Sequence, residues 1–325
     1  VVLQHRAAWS HHGDTWGLPG GARNSHESPV EAALREAAEE AGLAPELVWP
    51  AGTVTDDHGG WSYTSVVAEP VGQLRPRPTG GESTDVRWVP VDEVGRLPLH
   101  PGFAATWPRL RSAPAGLVLV VDGANVVGAR GGGDGWWRDR PGAARRLRDA
   151  LLPLTRAGLP AADLPSSDPA GPDEFDLLLP RVLLVVEGAA RVIAADPPAA
   201  LPAPAGPPAG PANPPAGPTS LTAGPAGSTA GPASTAAEPA GSSARPAGPT
   251  AGPGSPVGAL AVLAAPGSGD DRIVAVAAAE AAAGHRVLAV TADRGLTARL
   301  AAIGIGRVGP RWLIDRIDHR PDSRR

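Results

Sequence analysis

The chain has 325 residues, room for about two domains, and its formal net charge of −4 supplies no general reason to bind nucleic acid or an anionic membrane. The absence of Cys excludes disulfides and thiolate metal sites, while 39 Pro and 42 Gly beside abundant Ala read as coding bias. The apolar runs at 117–121, 182–186 and 257–265 are too short to span a bilayer, and Gln4, His5 and Arg6 interrupt any signal-peptide core. A soluble, cytoplasmic protein without membrane contact is expected. Oligomeric state is not legible.

The chain opens on Val1-Val2-Leu3, a strand already under way, so the start is expected to be truncated. Residues 1–112 then carry short strand-like runs, several Trp and one strong helix signal. Ser28 reads as its N-cap, Pro29 as its first residue and Glu31 as the partner in a capping box. Gly42 reads as the glycine that ends it. At 100° per residue Val30, Ala33, Leu34, Ala37 and Ala41 share one face, predicted to be the core face. Glu36, Glu39 and Glu40 fall within an arc of about 100° on another. Carboxylates that close repel one another. Either they form a solvated acidic face, or a hard divalent cation sits among them.

The wider pattern decides between these readings. It runs Gly21, five residues, Glu27, seven residues, then Arg35-Glu36-Ala37-Ala38-Glu39-Glu40-Ala41-Gly42-Leu43. Every fixed position resembles the Nudix box, and Trp16-Gly17-Leu18-Pro19-Gly20 is similar to the family's usual lead-in. The resemblance covers about residues 1–112, although the strand that usually precedes Val1 is absent, which bears on a sheet edge or base pocket. It implies a Nudix α/β/α sandwich and Mg²⁺- (or Mn²⁺-) dependent hydrolysis of a nucleoside-diphosphate-linked substrate. By that resemblance Glu36, Glu39 and Glu40 are metal ligands and catalytic groups, Gly20 lends its carbonyl, and Arg35 holds the glutamates. Gly21, Glu27 and Gly42 shape the box. The family often adds an acid from a later loop. Glu82 is the candidate and Asp85 the runner-up, with a solvated loop acid as the alternative. The lead-in is similar to that of the MutT-like branch, which acts on damaged nucleoside triphosphates. His11, His12, Trp61 and Tyr63 are candidates for stacking a base, though packing is the commoner role of such rings.

From residue 113 the pattern changes. Leu117-Val118-Leu119-Val120-Val121 reads as a buried strand, an Arg-rich helix follows, and Val182 to Val186 reads as a second strand. Residues 196–256 are Pro, Ala, Gly, Ser and Thr with few charges, and should be disordered or polyproline-like. Ordered elements resume with a strand at 258–264, a helix at 272–283, a strand at 286–291 and a helix at 295–303. Strands alternating with helices predict one parallel-sheet α/β domain, made of residues 113–195 and 257–325 and interrupted by the insertion. Two separate small domains are the alternative.

Acids sit at the strand ends of this half: Asp122, Glu187, Asp270 beside Asp271, and Asp293. In open α/β sheets ligand groups gather at the carboxyl ends of strands, and four such acids can converge on Mg²⁺ or Mn²⁺. Ordinary turn and cap chemistry is the competing reading. With Asn125 completing Asp122-Gly123-Ala124-Asn125, the pattern resembles the PIN-like nucleases of the NYN group. That resemblance covers residues 117–195 and 257–312 and implies metal-dependent RNA cleavage. Trp136-Trp137-Arg138-Asp139-Arg140, with Arg145, Arg146 and Arg148, either tracks a phosphate backbone or forms a solvated face with local Asp–Arg pairs. The tail from Arg307 to Arg325 is mildly basic. Two further readings stay open: both halves act on RNA 5′ ends, or the C-terminal half is a non-catalytic module binding RNA or a partner.

Overall fold

The computed structural model describes residues 1–113, 115–131, 135–165, 175–196 and 259–318. In chain order the first half gives β1 (Val2–Arg6), β2 (Trp16–Gly17), α1 (Pro29–Ala41), β3 (Val48–Asp57), β4 (Ser62–Pro70), β5 (Ser83–Trp88) and α2 (Pro101–Ser112). The second half gives β6 (Leu117–Asp122), α3 (Gly123–Arg130), α4 (Arg140–Ala157), β7 (Leu159–Pro160), β8 (Leu177–Leu178) and β9 (Arg181–Val186). It continues with β10 (Leu260–Ala264), α5 (Gly269–Ala282), β11 (Arg286–Val290), α6 (Arg294–Ala302), β12 (Gly306–Val308) and α7 (Pro310–Asp318). No helix among the described residues is long and apolar enough to cross a membrane.

Helix α1 begins and ends where its capping residues dictate. Ser28 Oγ accepts from the Glu31 amide, and the Glu31 carboxylate accepts from the Ser28 amide at 2.8 Å. Gly42 takes φ 64°, a left-handed geometry that suits glycine. The segment after β4 satisfies two of the last carbonyls, because the Arg77 and Thr79 amides donate to Ala41 and Glu40. The predicted apolar stripe needs a correction. Ala41 is buried and Ala37 packs on the cluster of Leu43 and Val86, but Val30, Ala33 and Leu34 are only half-buried, and Ala32, outside the stripe, is buried. Ala33 and Leu34 line a cavity of about 630 Å³ that β4 also lines.

β1 pairs antiparallel with β2 and β5, in the order β2-β1-β5. β3 and β4 form an antiparallel hairpin, and β8 and β7 extend it in the order β4-β3-β8-β7. Thus short strands from after residue 113 complete a sheet begun before it. Trp49 packs in the same apolar cluster as Val118 and Val120, and its Nε1 donates to Leu179 O at 3.1 Å.

The remaining five strands form one wholly parallel sheet, in the order β10-β9-β6-β11-β12. β6 and β9 are apolar at successive positions because both faces are covered. Leu119, Val121, Val182 and Leu184 enter one core, and Val118, Val120, Leu183 and Val185 enter the other. The sheet draws strands from both sides of the insertion, as the α/β reading expects. The chain first builds outward from β6 through β9 to β10, then returns across β6 to lay down β11 and β12. That reversal opens a crevice at the carboxyl ends of the strands.

Some boundaries differ from expectation. The helix predicted from residue 272 starts at Gly269, because Ser268 caps it and accepts from the Asp271 amide. Asp270 and Asp271 therefore lie in its first turn, not in a connecting loop. The strand predicted from Gly258 starts at Leu260, and Gly258 lies outside the described residues. So do 197–256, nearly all of the predicted low-complexity insertion, and the end of the basic tail, 319–325.

Candidate functional site

The α1 glutamates are held by one guanidinium. Arg35 Nε and Nη2 donate to the two Glu27 oxygens at 2.8 and 3.1 Å, and Nη1 donates to Glu36 Oε1 at 2.8 Å and Glu39 Oε2 at 3.1 Å. Arg35 and the Asn24 amide hold the Glu27 carboxyl down at about 2, so it stays ionised and anchors the loop to the helix. Gly21 lies so close that a Cβ there would sit 2.6 Å from Glu36 Oε1. Glu40 belongs to a different environment. Its Oε2 accepts from the Gly20 amide at 2.8 Å and from Gln4 Nε2 at 3.1 Å. Burial pushes the Glu40 carboxyl up, against those two hydrogen bonds, and the charges of Glu36 and Glu82 add to the push. Glu82, in the turn before β5, is thus the loop acid whose charge reaches Glu40. Asp85 lies within β5 and pairs with Arg87 at 3.6 Å.

The donor set here is carboxylate oxygen, with the Gly20 backbone against Glu40. Hard oxygen ligands and a desolvated negative cluster suit Mg²⁺ or Mn²⁺ and give nothing to a soft ion. The residues fit the implied metal. The three helix carboxylates do not converge on one point, however: Arg35 draws Glu36 and Glu39, while Gln4 and Gly20 draw Glu40.

Gly20 also lines a second cavity, of about 590 Å³, within the usual range for small-molecule sites. Its wall includes Arg6, Asp56, Trp61, Tyr63, His100 and Arg109. Trp61 is 63% exposed and stacks on His58 with centroids 4.2 Å apart, and Tyr63 is 44% exposed. The Tyr63 hydroxyl comes within 3.8 Å of where a Gly20 Cβ would stand. Within the same lining Arg109 binds Asp56 at 2.8 Å.

At the carboxyl edge of the parallel sheet a second acidic group gathers. Asp122 ends β6 and caps α3, accepting from the Asn125 amide at 3.0 Å and from Thr291 Oγ1 at 2.9 Å. Asn125 Oδ1 in turn accepts from the Ala292 amide at 2.8 Å, which ties the ends of β6 and β11 together. Glu187, after β9, accepts from the Gly269 amide at 2.9 Å. Burial raises the Asp122 carboxyl, opposed by its two hydrogen bonds and reinforced by Asp270 and Glu187. Burial likewise raises Asp270, reinforced by Asp293, Glu187 and Asp271 and opposed by Arg299. Asp293 caps α6 through the Leu296 amide at 2.7 Å. Asp271 is turned to Arg299 at 2.7 Å and stands apart as a salt-bridge partner. Asp122, Glu187, Asp270 and Asp293 are therefore close enough for their charges to act within the group. Among the described residues, though, only His11, His12 and His100 bring three ligand atoms within 4.8 Å.

The Arg-rich stretch is partly spent locally. Arg145 and Arg148 bind Asp196 at 2.8 and 3.4 Å, and Arg146 faces Asp139 at 3.8 Å. Trp137 is 54% exposed. Sequence reading missed Gln4, 1% exposed although polar and central to Glu40, because its side-chain partners Leu18, Glu40 and Ser83 lie 14, 36 and 79 positions away. It also missed His100, since no spacing rule connects residue 100 to residues 11 and 12.

The family model for the NUDIX domain matches residues 1–110. The chain is 54% identical over 126 residues to the "Putative 8-oxo-dGTP diphosphatase 3" of Mycobacterium tuberculosis, covering 37% of this chain and 58% of that one. It is 47% identical over 111 residues to a "Nucleoside triphosphate pyrophosphatase/Nudix hydrolase fusion protein" of Bifidobacterium longum, covering 34% and 23%. It thus spans only part of the length of these curated relatives. Among solved structures, a Nudix hydrolase from M. smegmatis, RenU, is 52% identical over 34% of this chain and 72% of that one, with a TM-score of 0.32.

Proposed function

Because residues 1–110 match the NUDIX domain model, we propose that the chain is an Mg²⁺-dependent pyrophosphohydrolase of nucleoside-diphosphate-linked substrates, with 8-oxo-dGTP the first to test. One observation carries this reading: Glu40, half-buried and within reach of the charges of Glu36 and Glu82, accepts from the amide of Gly20, which lines a nucleotide-sized cavity. Glu36, Glu39, Glu40 and Glu82 would hold the metal with the Gly20 carbonyl. When bound, the ion supplies charge stabilisation at the phosphoryl oxygens and a more acidic water. Arg35 keeps Glu36 and Glu39 in place and balances their charge. Trp61, backed by His58, offers a face for the base, and Tyr63 lines the same cavity. Hydrolysis consumes one water and breaks one phosphoanhydride bond, and one of the α1 carboxylates takes the proton of the attacking water.

The test is turnover of 8-oxo-dGTP, dGTP and ADP-ribose with Mg²⁺, comparing the chain with Glu40→Gln. That substitution keeps the volume and the contacts to Gly20 and Gln4 but removes a charge. A loss of at least about a thousandfold in kcat at unchanged melting temperature is expected. Retained turnover in the folded variant would show that Glu40 has no catalytic role. Trp61→Ala should raise KM more than it lowers kcat, because a stacking contact serves ground and transition states alike.

A second reading concerns the other half. The mutual influence of Asp122, Asp270, Asp293 and Glu187 at the sheet's carboxyl edge supports a metal-dependent, PIN-like RNA-cleaving site, with Asn125 tying two of its strands. Cleavage of single-stranded RNA with Mn²⁺, abolished by Asp122→Asn and Asp293→Asn, is the expected outcome. Cleavage absent from the unsubstituted chain would leave this half a binding module. Release of phosphate or pyrophosphate from 5′-triphosphorylated RNA would mean that both halves act on RNA.

A further inference from the structure

The loop between β1 and β2 sets His11 and His12 side by side, and the turn into α2 brings His100 against them. Ring centroids lie 4.1 Å apart for His11 and His12, 4.8 Å for His12 and His100, and 6.4 Å for His11 and His100. A nitrogen from each lies within 4.8 Å of the other two. The two segments are fastened to each other and to the sheet. The Arg6 amide donates to Thr15 O, the Asp14 amide to Arg6 O, and the His100 amide to Trp16 O at 2.8 Å. Arg6 Nε also donates to His11 O at 3.0 Å, which directs that guanidinium to the backbone.

We propose that His11, His12 and His100 form a site for a borderline transition-metal dication of the Zn²⁺ or Co²⁺ type, separate from the carboxylate cluster that suits Mg²⁺. Three imidazoles are the donor set that such ions prefer and that Mg²⁺ disfavours. Three protein ligands also leave a coordination position for water. His100 lines the cavity that Gly20 and Trp61 share, so the site lies at its margin.

Ligation has a local consequence at His100. Its Nδ1 accepts from the Gly102 amide at 3.2 Å, which places the ring proton on Nε2. Binding through Nε2 moves that proton to Nδ1 and releases the Gly102 amide, at the exposed first turn of α2, to water. Binding through Nδ1 displaces the amide directly. Either way the ion replaces a long, exposed hydrogen bond.

The experiment titrates tag-free protein with Co²⁺ in millimolar Mg²⁺, following the visible d–d absorption, and repeats the titration with Zn²⁺ against a chromophoric chelator. One equivalent should bind. His11→Ala, His12→Asn and His100→Asn should each weaken binding at least about tenfold. Asn suits residue 12, whose φ is 53°, and at residue 100 it retains a cap acceptor, so melting temperatures should hold. His26→Ala should bind as the unsubstituted chain does. Failure of the unsubstituted chain to bind stoichiometrically, binding undiminished in the three variants, or equal loss in His26→Ala would each overturn the site. Inorganic phosphate binding in place of the metal, lost in the same variants, would overturn it in favour of an anion pocket.

Discussion

At the scale of single residues, the Nudix-like site depends on how closely backbone and carboxylate approach. Gly21 lets Glu36 lie close, since a Cβ would stand 2.6 to 2.9 Å from the Glu36 carboxyl atoms and force that side chain to move. Gly21→Ala should displace Glu36 and lower kcat/KM by about a hundredfold, the cost of an ångström-scale misplacement, with little change in melting temperature. Arg35 poses a complementary test. It serves Glu27 with one edge of its fork and Glu36 and Glu39 with another, and a lysine ammonium cannot span all three. Arg35→Lys should therefore lose activity although charge is conserved. Steady-state kinetics on the folded variant checks this, and near-normal turnover would mean that Arg35 supplies charge alone.

At the scale of elements, α1 owes its start to Ser28 and its stop to Gly42. Ser28→Ala leaves the Glu31 amide without its cap and should cost about 1 kcal/mol in denaturant unfolding. The parallel strands are held differently, by burial on both faces. Leu119 is fully buried in the core beneath α4, so Leu119→Ala should cost about 2–5 kcal/mol, several times the effect at the cap. The caps and the glutamate spacing were readable from short-range pattern. The burial of α1 was not, since Ala33 and Leu34 line a cavity that β4 also lines.

At the scale of the molecule, the two halves meet through a buried charged cluster. Glu69 on β4 accepts from the Gly116 amide at 2.7 Å and faces His285 Nε2 at 3.3 Å. His285 Nδ1 lies 2.7 Å from Glu280, which faces Arg181 at 3.7 Å, and Arg181 covers the Trp49 ring at 4.4 Å. Hydrogen bonds to Glu280 and Glu69 outweigh burial and raise His285 to about 9. A raised histidine stabilises the fold fully below its unfolded value near 6.5, and that contribution is lost as pH rises through the folded value. Melting temperature should fall between about pH 6.5 and 9, and His285→Gln should flatten that part of the curve. An unchanged pH profile in His285→Gln would show that this imidazole does not join the halves electrostatically.

What the sequence determined by itself was local or periodic: the capped helix, the glutamates along one side of it, and the doubly apolar runs of a parallel sheet. Each follows from 3.6- or 2-residue geometry and from capping chemistry, which act over a few positions. Tertiary structure decided the rest. It buried Gln4 beside Glu40 and set Glu82 where its charge reaches that carboxylate. It also brought His100 to His11 and His12 and laid β8 against β3. These pairings join positions up to 126 residues apart, as between Gly52 and Leu178. Only the closing of the sheets and the shared burial of apolar surface selects them, and no local pattern encodes that selection.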